Sequence, residues 1–119
     1  MAEALGRLKR RSEFLAAARG RKAGGRTVGL QGRVRDVGEG DAVRLGFTCS
    51  KKVGNAVERN RAKRRLRAAA ARLAPDFALP RCDYVLIGRP ATVDCGFEAL
   101  LSDLARAFRD VGRKLEGSR

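Results

Sequence analysis

Histidine does not occur in this chain of 119 residues. Its absence removes the commonest general base, the usual partner of a catalytic serine or cysteine, and the most frequent metal ligand. The acidic residues form no metal-ligand cluster either, since Asp36, Glu39 and Asp41 share a glycine-rich turn whose geometry accounts for them. The sequence therefore predicts no catalytic residue, no metal site and no cofactor bound by the protein itself.

Cysteine is scarce, and its three positions, Cys49, Cys82 and Cys95, are far apart. No Cys-x-x-Cys pair suggests zinc or redox chemistry. We therefore expect three reduced thiols in ordinary packing.

Long apolar runs are also missing. The longest apolar stretches are well short of the ~20 residues that a membrane-spanning helix requires. The charged N-terminus is not followed by the apolar region of a secretion signal. We expect no membrane partner and a cytoplasmic location.

Positive charge, by contrast, is abundant. The chain carries 27 basic and 13 acidic side chains, a formal net charge of +14 and a sequence pI near 11.3. Such an excess repels itself in a compact state unless a polyanion neutralises it, so nucleic acid is the expected partner. The length corresponds to about one domain. We place it over residues 1–119, with a basic N-terminal segment, 1–11, and a frayed tail, 114–119.

The first half of the chain predicts a short helix and two strands. Ser12 has the side chain of a helix cap, and residues 19–26 have the glycine content of a loop. Residues 27–35 and 43–50 alternate apolar and polar side chains, which predicts half-buried strands joined as a hairpin by the turn at 36–41. We expect an antiparallel sheet covered on one side, with a polar and basic outward face. The cations of that face are Arg33, Arg35 and Arg44.

The second half predicts a buried strand and a last helix. Residues 84–87 are continuously apolar, which indicates a strand buried on both faces. Asp94 is the expected cap of an amphipathic helix whose apolar stripe belongs to the core. With the basic helix between these halves, the order helix, strand, strand, helix, strand, helix predicts an α+β domain with helices packed on a single sheet.

The basic helix has an unusual charge pattern. Asn55 and Glu58 are placed to form a capping box at its start. Its narrow apolar stripe consists of Ala62, Leu66, Ala69 and Leu73. Between Lys51 and Arg72 nine side chains are basic and one is acidic. A helix that only faces water normally carries both signs, so this pattern favours a polyanionic partner.

Residues 47–67 read Phe-Thr-Cys-Ser-Lys-Lys-Val-Gly-Asn-Ala-Val-Glu-Arg-Asn-Arg-Ala-Lys-Arg-Arg-Leu-Arg. This gap-free stretch resembles the signature of the bacterial ribonuclease P protein subunit, and the residues before the basic run make the match specific. The resemblance covers nearly all of the chain. The other segments that match are Arg7-Leu8-Lys9 with Phe14, Asp83-Tyr84-Val85 before Arg89-Pro90, and the last amphipathic helix.

The resemblance implies a protein subunit that binds a large catalytic RNA and the 5′ leader of precursor tRNA. Such a subunit assists endonucleolytic removal of the leader, while magnesium ions and catalysis are expected in the RNA subunit. No obligate protein partner is expected. The family fold is ribosomal-protein-like, with a left-handed strand–helix–strand crossover that the usual handedness rule does not predict. Here that crossover would run from Ser50 through the basic helix to the strand at Tyr84.

Carried over by position, the resemblance implies that the basic helix and the loop before it contact the catalytic RNA. The residues are Lys51, Lys52, Asn55, Arg59, Asn60, Arg61, Lys63, Arg64 and Arg67. Guanidinium forks suit phosphate, and amides at the start of a helix favour it as well. Lys51 and Lys52 are placed to contact the catalytic RNA, the leader, or both.

A second surface, between the first helix and the exposed sheet face, is implied for the single-stranded leader. Its residues are Phe14, Thr48, Ser50 and Arg89. Phe14 is expected to stack on a base, although composition alone favours a core position for it. Ala18 and Gln31 stand where relatives often have aromatic residues. Leader binding is therefore expected to depend more on phosphate charge than on stacking.

The residues also leave other functions open. A structural protein that binds ribosomal RNA would use the same fold and charge. A basic-helix DNA-binding protein is a weaker alternative, because no dimerising heptad adjoins the basic helix.

Overall fold

The computed structural model describes residues 5–117, which form one sheet with three α-helices. In chain order the elements are β1 (Gly6–Arg7), α1 (Arg11–Ala18), β2 (Arg21–Gly24), β3 (Val28–Val34), β4 (Arg44–Thr48), α2 (Ala56–Phe77), β5 (Cys82–Gly88), a 3₁₀ turn (Pro90–Thr92) and α3 (Phe97–Gly117). The predicted α+β class with helices on a single sheet is confirmed.

The central strand of the sheet is β5, in the order β1-β4-β5-β3-β2. It pairs antiparallel with β3 and parallel with β4, so the sheet is mixed rather than antiparallel as predicted. Every residue of β5 except Ile87 is buried. This confirms the strand that was predicted to be buried on both faces.

The predicted hairpin of β3 and β4 is wrong, because β5 lies between these two strands. The connection from β3 to β4 is tied instead to the residue before β5. The backbone N–H of Arg35 donates to the carbonyl of Arg81 at 2.8 Å, and the N–H of Arg81 donates to the carbonyl of Asp41 at 2.9 Å. Alternation along a strand indicates which face is buried, but it does not indicate which strand is the neighbour.

The connection from β4 through α2 to β5 joins two adjacent parallel strands. This is the strand–helix–strand crossover that the family resemblance implies. Its left-handedness stays a prediction.

The predicted loop at residues 19–26 contains β2, which forms one edge of the sheet. Gly20 is needed because the backbone passes very close to β3 at this point, and not because the segment is flexible. A Cβ at Gly20 would lie 2.1 Å from the carbonyl oxygen of Gly32, so only glycine lets the chain turn this close to β3.

Two helices begin away from their predicted caps. α1 begins at Arg11, so Ser12 lies inside the helix. α3 begins at Phe97, and the carbonyl of Gly96 accepts its first backbone bonds, so Asp94 does not cap it. Both predicted caps have suitable side chains, and in both cases the backbone starts the helix one to three residues away.

The tail that was predicted to fray begins within α3, which continues to Gly117. The fraying itself stays a prediction. Leu115 is buried in the core, and the Nζ of Lys114 donates to the carbonyl of Lys22 at 2.6 Å. The rest of the predicted tail, residues 118–119, lies outside the described residues, as does the start of the basic N-terminal segment, residues 1–4.

The sheet is covered on both faces, although unequally. α2 and α3 form the main core on one face, where the rings of Tyr84 and Phe108 meet edge to face with centroids 5.1 Å apart. α1 lies on the other face, where Phe14 packs beside Leu8 and Val85. The prediction of a sheet covered on one side is therefore wrong, since α1 shields part of the second face.

Among residues 5–117, no helix combines the length and apolar character needed to cross a bilayer. Within the same residues, no group of three or more His, Cys, Asp or Glu side chains is arranged to hold a metal ion. No disulfide joins Cys49, Cys82 and Cys95 to one another.

Candidate nucleic-acid interface

The capping box predicted at the start of α2 is confirmed. Asn55 Oδ1 accepts from the backbone N–H of Glu58, and Glu58 Oε1 accepts from the backbone N–H of Asn55, both at 2.9 Å. Gly54, at φ +151°, supplies the bend before the cap. Two donors at this helix end are thus satisfied within the chain, and Glu58 adds a negative charge. Both features weaken the case for a phosphate contact at Asn55.

Cations dominate the rest of α2. Arg61, Arg64 and Arg67 are exposed, and Arg59 and Lys63 are half-buried. Throughout the described part of the chain, no carboxylate lies within salt-bridge distance of these five side chains. The positive potential is therefore left to attract an anionic partner. We refer to the nine predicted residues of α2 and its preceding loop as the α2 surface.

Two arginines of α2 also hold the helix against the segment before α3. The Nε of Arg61 donates to the carbonyl of Val93 at 2.7 Å. Arg65 donates to the same carbonyl at 3.1 Å and also to the carbonyl of Cys95. Sequence reasoning gave Arg65 no separate role, whereas the structure makes it an anchor. The bond of Arg61 engages Nε, so its terminal nitrogens are not committed to this contact.

The opposite flank of α2 faces β4. The guanidinium of Arg67 lies 5.9 Å from the ring centroid of Phe47, within the range of a cation–π contact. Lys63 and Arg67 also lie near the thiol of Cys49. Burial raises the pKa of the Cys49 thiol, and the two cations oppose this only in part. The thiol is therefore a neutral packing group rather than a nucleophile.

The residues predicted to bind the leader lie on the sheet face that α1 covers in part. Thr48 pairs with Ile87, which pairs with Gly29, so these residues form one row across β4, β5 and β3. The guanidinium of Arg89 extends over this row, since a Cβ at Gly29 would lie 2.7 Å from its Nη2. Phe14 borders the same face from α1. The structure thus brings Phe14, Thr48 and Arg89 together on one face.

Composition alone predicts a core position for Phe14, and its ring is in fact partly packed against the sheet. Its ring lies over Gly46, where a Cβ would come within 2.6 Å of the ring atom Cε1. The side chain is half-buried. Because one part of the ring is committed to the sheet, only the remaining part is open to a base.

The turn between β4 and α2 connects the two predicted surfaces. Ser50 Oγ accepts from the backbone N–H of Lys52 at 3.3 Å, and the carbonyl of Ser50 accepts from the N–H of Val53 at 3.0 Å. Ser50 therefore helps to shape the turn. Lys51 and Lys52 are exposed between Thr48 and the start of α2, so they are close in sequence to both surfaces.

Sequence reasoning missed a buried ionic cluster at the start of β5. Asp83 is fully buried and accepts bonds of 2.7 Å from Arg35 and Arg44 and a bond of 3.4 Å from Arg33. Together with Glu13 we refer to these residues as the Asp83 cluster. The prediction that the three arginines form an outward basic face is wrong for Arg35, which is 1% exposed. An aspartate in an otherwise apolar, doubly buried strand is the signal that could have indicated such a partner.

The Asp83 cluster connects the sheet to α1. Arg44 donates to Asp83 and also to Glu13, at 3.0 Å. The other oxygen of Glu13 accepts from the backbone N–H groups of the two residues that precede α1, both at 2.8 Å. These backbone bonds hold the pKa of Glu13 below its usual value. Burial opposes ionisation of Asp83, but the bonds from Arg44 and Arg35 outweigh it and lower the pKa of that carboxyl.

The fold and the site define an α+β protein whose basic crossover helix carries unpaired cations beside a partly open sheet face. Known proteins are similar to this chain in sequence. A family model for ribonuclease P matches residues 3–112. The ribonuclease P protein component of Ruegeria pomeroyi is 58% identical over 103 residues, covering 86% of this chain and 82% of the relative. That of Gluconacetobacter diazotrophicus is 48% identical over 113 residues, covering 94% and 96%.

Solved structures share the fold. A Staphylococcus aureus RNase P protein mutant with defective mRNA degradation activity has a TM-score of 0.74 at 27% identity, covering 89% of this chain and 87% of that one. The RNase P protein from Thermotoga maritima has a TM-score of 0.69 at 25% identity, covering 84% of this chain and 92% of that one.

The chain belongs to the ribonuclease P protein family. Its role is that of the protein subunit in processing the 5′ end of tRNA.

Proposed function

We propose that the α2 surface binds the catalytic RNA of ribonuclease P and that the face between α1 and the sheet binds the 5′ leader of precursor tRNA. In this division of labour the RNA holds the magnesium ions and performs the cleavage. The protein neutralises phosphate charge and positions the leader. Since transcripts are made and trimmed inside the cell, the proposal places the protein in the cytoplasm.

The observation that carries the proposal is the unpaired charge of α2. The chain has acids, but the salt bridges of its described residues are formed by arginines outside α2, such as Arg35, Arg44 and Arg113. Like charges at helical spacing oppose folding by a few tenths of a kcal/mol per pair. A row of cations without carboxylates therefore destabilises the isolated protein, and a phosphate backbone relieves that repulsion.

The sheet face supports the second half of the proposal. Ile87 offers an apolar floor, Arg89 a cation, Thr48 a hydroxyl and Phe14 part of an aromatic ring, all on one face. Single-stranded RNA requires this combination, because its phosphates bind cations while its bases stack on apolar or aromatic groups. The exposed Lys51 and Lys52 continue the charge from this face to the α2 surface.

Reconstitution tests the proposal directly. The purified protein is added to in vitro transcribed ribonuclease P RNA and labelled precursor tRNA, and leader release is followed as magnesium is lowered. We expect the protein to sustain cleavage at magnesium concentrations where the RNA alone is inactive, because phosphate neutralisation helps most where metal is scarce. Leader release by the protein alone, or an unchanged magnesium requirement, would contradict the proposal.

A pull-down separates this function from ribosomal RNA binding. The protein is crosslinked to RNA in cells, recovered and its bound RNA sequenced. We expect one abundant structured RNA together with precursor tRNAs. Recovery of ribosomal RNA alone would support the alternative.

A further inference from the structure

A second basic site lies at the end of the sheet away from Thr48 and Arg89. It is a pocket of about 640 Å³ between the end of α1, the end of β3 and the start of β5. Its charged lining residues are Arg19, Arg21, Arg33, Arg35, Arg81 and Asp36. The pocket thus has five guanidinium groups and one carboxylate, and it shares no residue with either predicted RNA surface.

The charge of the pocket is only partly neutralised by the protein. Arg33 and Arg35 face the buried carboxylate of Asp83, and Arg33 also lies 3.8 Å from a carboxylate oxygen of Glu39. The second terminal nitrogen of Arg35 donates to the carbonyls of Gly40 and Ala42. For Arg19 and Arg81, no carboxylate lies within salt-bridge distance among residues 5–117. The one acidic lining residue, Asp36, is exposed. A positive excess therefore remains at the pocket after its internal ion pairs are counted.

Two buried donors in the pocket lining lack a hydrogen-bond acceptor. Over the described residues, the Nε atoms of Arg35 and Arg81 are buried and unpaired. Such donors are rare in folded proteins, because a buried N–H without an acceptor is destabilising. An anion in the pocket would lower the electrostatic energy of both guanidiniums through space, even where it does not touch Nε.

The backbone of Arg81 is held in an unusual conformation. Its φ of +64° lies in the left-handed region, and no other non-glycine residue of the described chain has a positive φ. Hydrogen bonds to Asp41 and from Arg35 fix it on both sides. Glycine would adopt this conformation without strain. An arginine here costs backbone energy and brings a guanidinium to the pocket, and strain of this kind is often found at functional sites.

We propose that this pocket binds a phosphate group, either of an RNA strand or of a free phosphate ion. Several guanidiniums around one cavity match the charge and the tetrahedral oxygens of phosphate. The site is distinct from the α2 surface and from the leader face. It does not rest on the proposed function, since its test uses the isolated protein.

Calorimetric titration of the isolated protein with inorganic phosphate, in a buffer without other multivalent anions, tests the site. Arg19→Gln removes an exposed guanidinium, and Arg81→Gly removes another while suiting the left-handed backbone, so both variants should fold. We expect each to weaken phosphate binding roughly fivefold, the effect of losing one partly exposed charge-assisted bond. The matched controls are Arg106→Gln and Arg113→Gln, two exposed positions on α3 outside the pocket and outside both RNA surfaces, which should change the affinity less than about twofold.

Pocket variants that bind phosphate as the original chain does would overturn the proposal. An equal loss in the two controls would also overturn it, because phosphate would then be responding to net charge alone. A second measurement follows the Nε–H resonances of Arg35 and Arg81 by NMR. They should shift with phosphate but not with chloride at the same ionic strength, and an equal response to both salts would count against a phosphate site.

The two sources of phosphate are separated by repeating the titration with a short single-stranded RNA. If Arg19→Gln and Arg81→Gly weaken RNA binding as they weaken phosphate binding, the pocket holds a backbone phosphate. If only inorganic phosphate responds, the pocket holds the free ion. Both results support the phosphate site and assign its ligand.

Discussion

The α2 surface and the Asp83 cluster use arginine in opposite ways. In the cluster, the guanidiniums of Arg35 and Arg44 share the buried carboxylate of Asp83, and Arg35 is almost fully enclosed. On the α2 surface, Arg64 and Arg67 are exposed, and no carboxylate of the described chain pairs with them. The same residue type therefore stabilises the fold in one region and is left for a partner in the other.

The difference between the two regions lies in the position of the acids. Asp83 and Glu13 neutralise cations beneath α1. Between Lys51 and Arg72 the sequence has one acid, Glu58, and its side chain is engaged in the helix cap. The net charge of +14 is thus not spread evenly. The location of carboxylates, more than the count of arginines, determines which surface is offered to RNA.

Among the substitutions that test this difference, removal of the buried carboxylate of Asp83 should have the largest effect. Asp83→Asn leaves Arg35 as a buried charge without its carboxylate, so we expect the free energy of unfolding to fall by about 3 to 5 kcal/mol. Urea unfolding followed by circular dichroism measures the change. The control is Asp110→Asn, because Asp110 pairs with the exposed Arg113 on α3. That change should cost less than about 1 kcal/mol, and equal losses would mean that the cluster has no special role.

Acid should weaken the Asp83 cluster and leave the charges of the α2 surface unchanged. Asp83 and Glu13 have pKa values lowered by folding. Each therefore contributes stability that is present above the unfolded pKa, about 4, and is lost as the pH falls through the folded value. The free energy of unfolding should drop below about pH 4, when measured by urea unfolding between pH 7 and pH 3. Asp83→Asn should show a shallower drop, and an identical pH dependence would refute the assignment.

The parts of the fold that could be predicted depend on residues that are close together in the sequence. The capping box of Asn55 and Glu58 spans three positions, and the burial of β5 follows from its own apolar residues. The partner of Arg35 lies 48 positions away, at Asp83. A sequence pattern cannot determine such a contact, because strand order decides which residues meet. The predicted hairpin is wrong for the same reason.

The candidate site shows the same limit within a single helix. The cations of α2 could be located because they are contiguous and lack interleaved acids. The charge pattern does not distinguish Arg64, which is exposed, from Arg65, which donates to the carbonyls of Val93 and Cys95. The family resemblance names Arg64 and not Arg65, but it gives no physical reason for the difference. Only contact with a distant segment separates an anchor from a side chain that is available to RNA.

Two neighbouring substitutions sharpen this distinction. Arg65→Ala should lower the free energy of unfolding by about 1 to 2 kcal/mol, because it removes charged donors from backbone carbonyls. Arg64→Ala should leave stability within about 0.5 kcal/mol. It should instead weaken RNA binding and make the slope of log affinity against log salt shallower by about 0.7 to 0.9, the value for one lost phosphate contact. Thermal unfolding and binding titrations at several salt concentrations measure the two effects.

The control for this pair is Arg113→Ala, an exposed change on α3 that should alter neither stability nor the salt slope. A slope that Arg64→Ala leaves unchanged would show that this side chain does not touch phosphate. If Arg64→Ala lowered stability as much as Arg65→Ala, both side chains would stabilise the fold. Arg64 could then not be distinguished from Arg65 as a residue that is left available to RNA.

The smallest effect is expected at Phe14, whose ring packs on the sheet and is also predicted to stack on a base of the leader. Phe14→Leu keeps an apolar group over Gly46 but removes the ring. Stacking of a base is worth about 1 to 3 kcal/mol, and part of this ring is already packed on the sheet. We therefore expect precursor tRNA to bind the reconstituted complex about threefold to tenfold more weakly. Mature tRNA, which has no leader, should bind as before.

The difference between precursor and mature tRNA decides which role of Phe14 dominates. A loss confined to the precursor places the ring on the path of the leader, because only the leader is missing from mature tRNA. An equal loss for both RNAs means that the substitution shifts α1 and acts through folding. Phe77→Leu is the matched control, since that ring lies 5.6 Å from the guanidinium of Arg109 near the end of α2. It should leave the ratio of the two affinities unchanged.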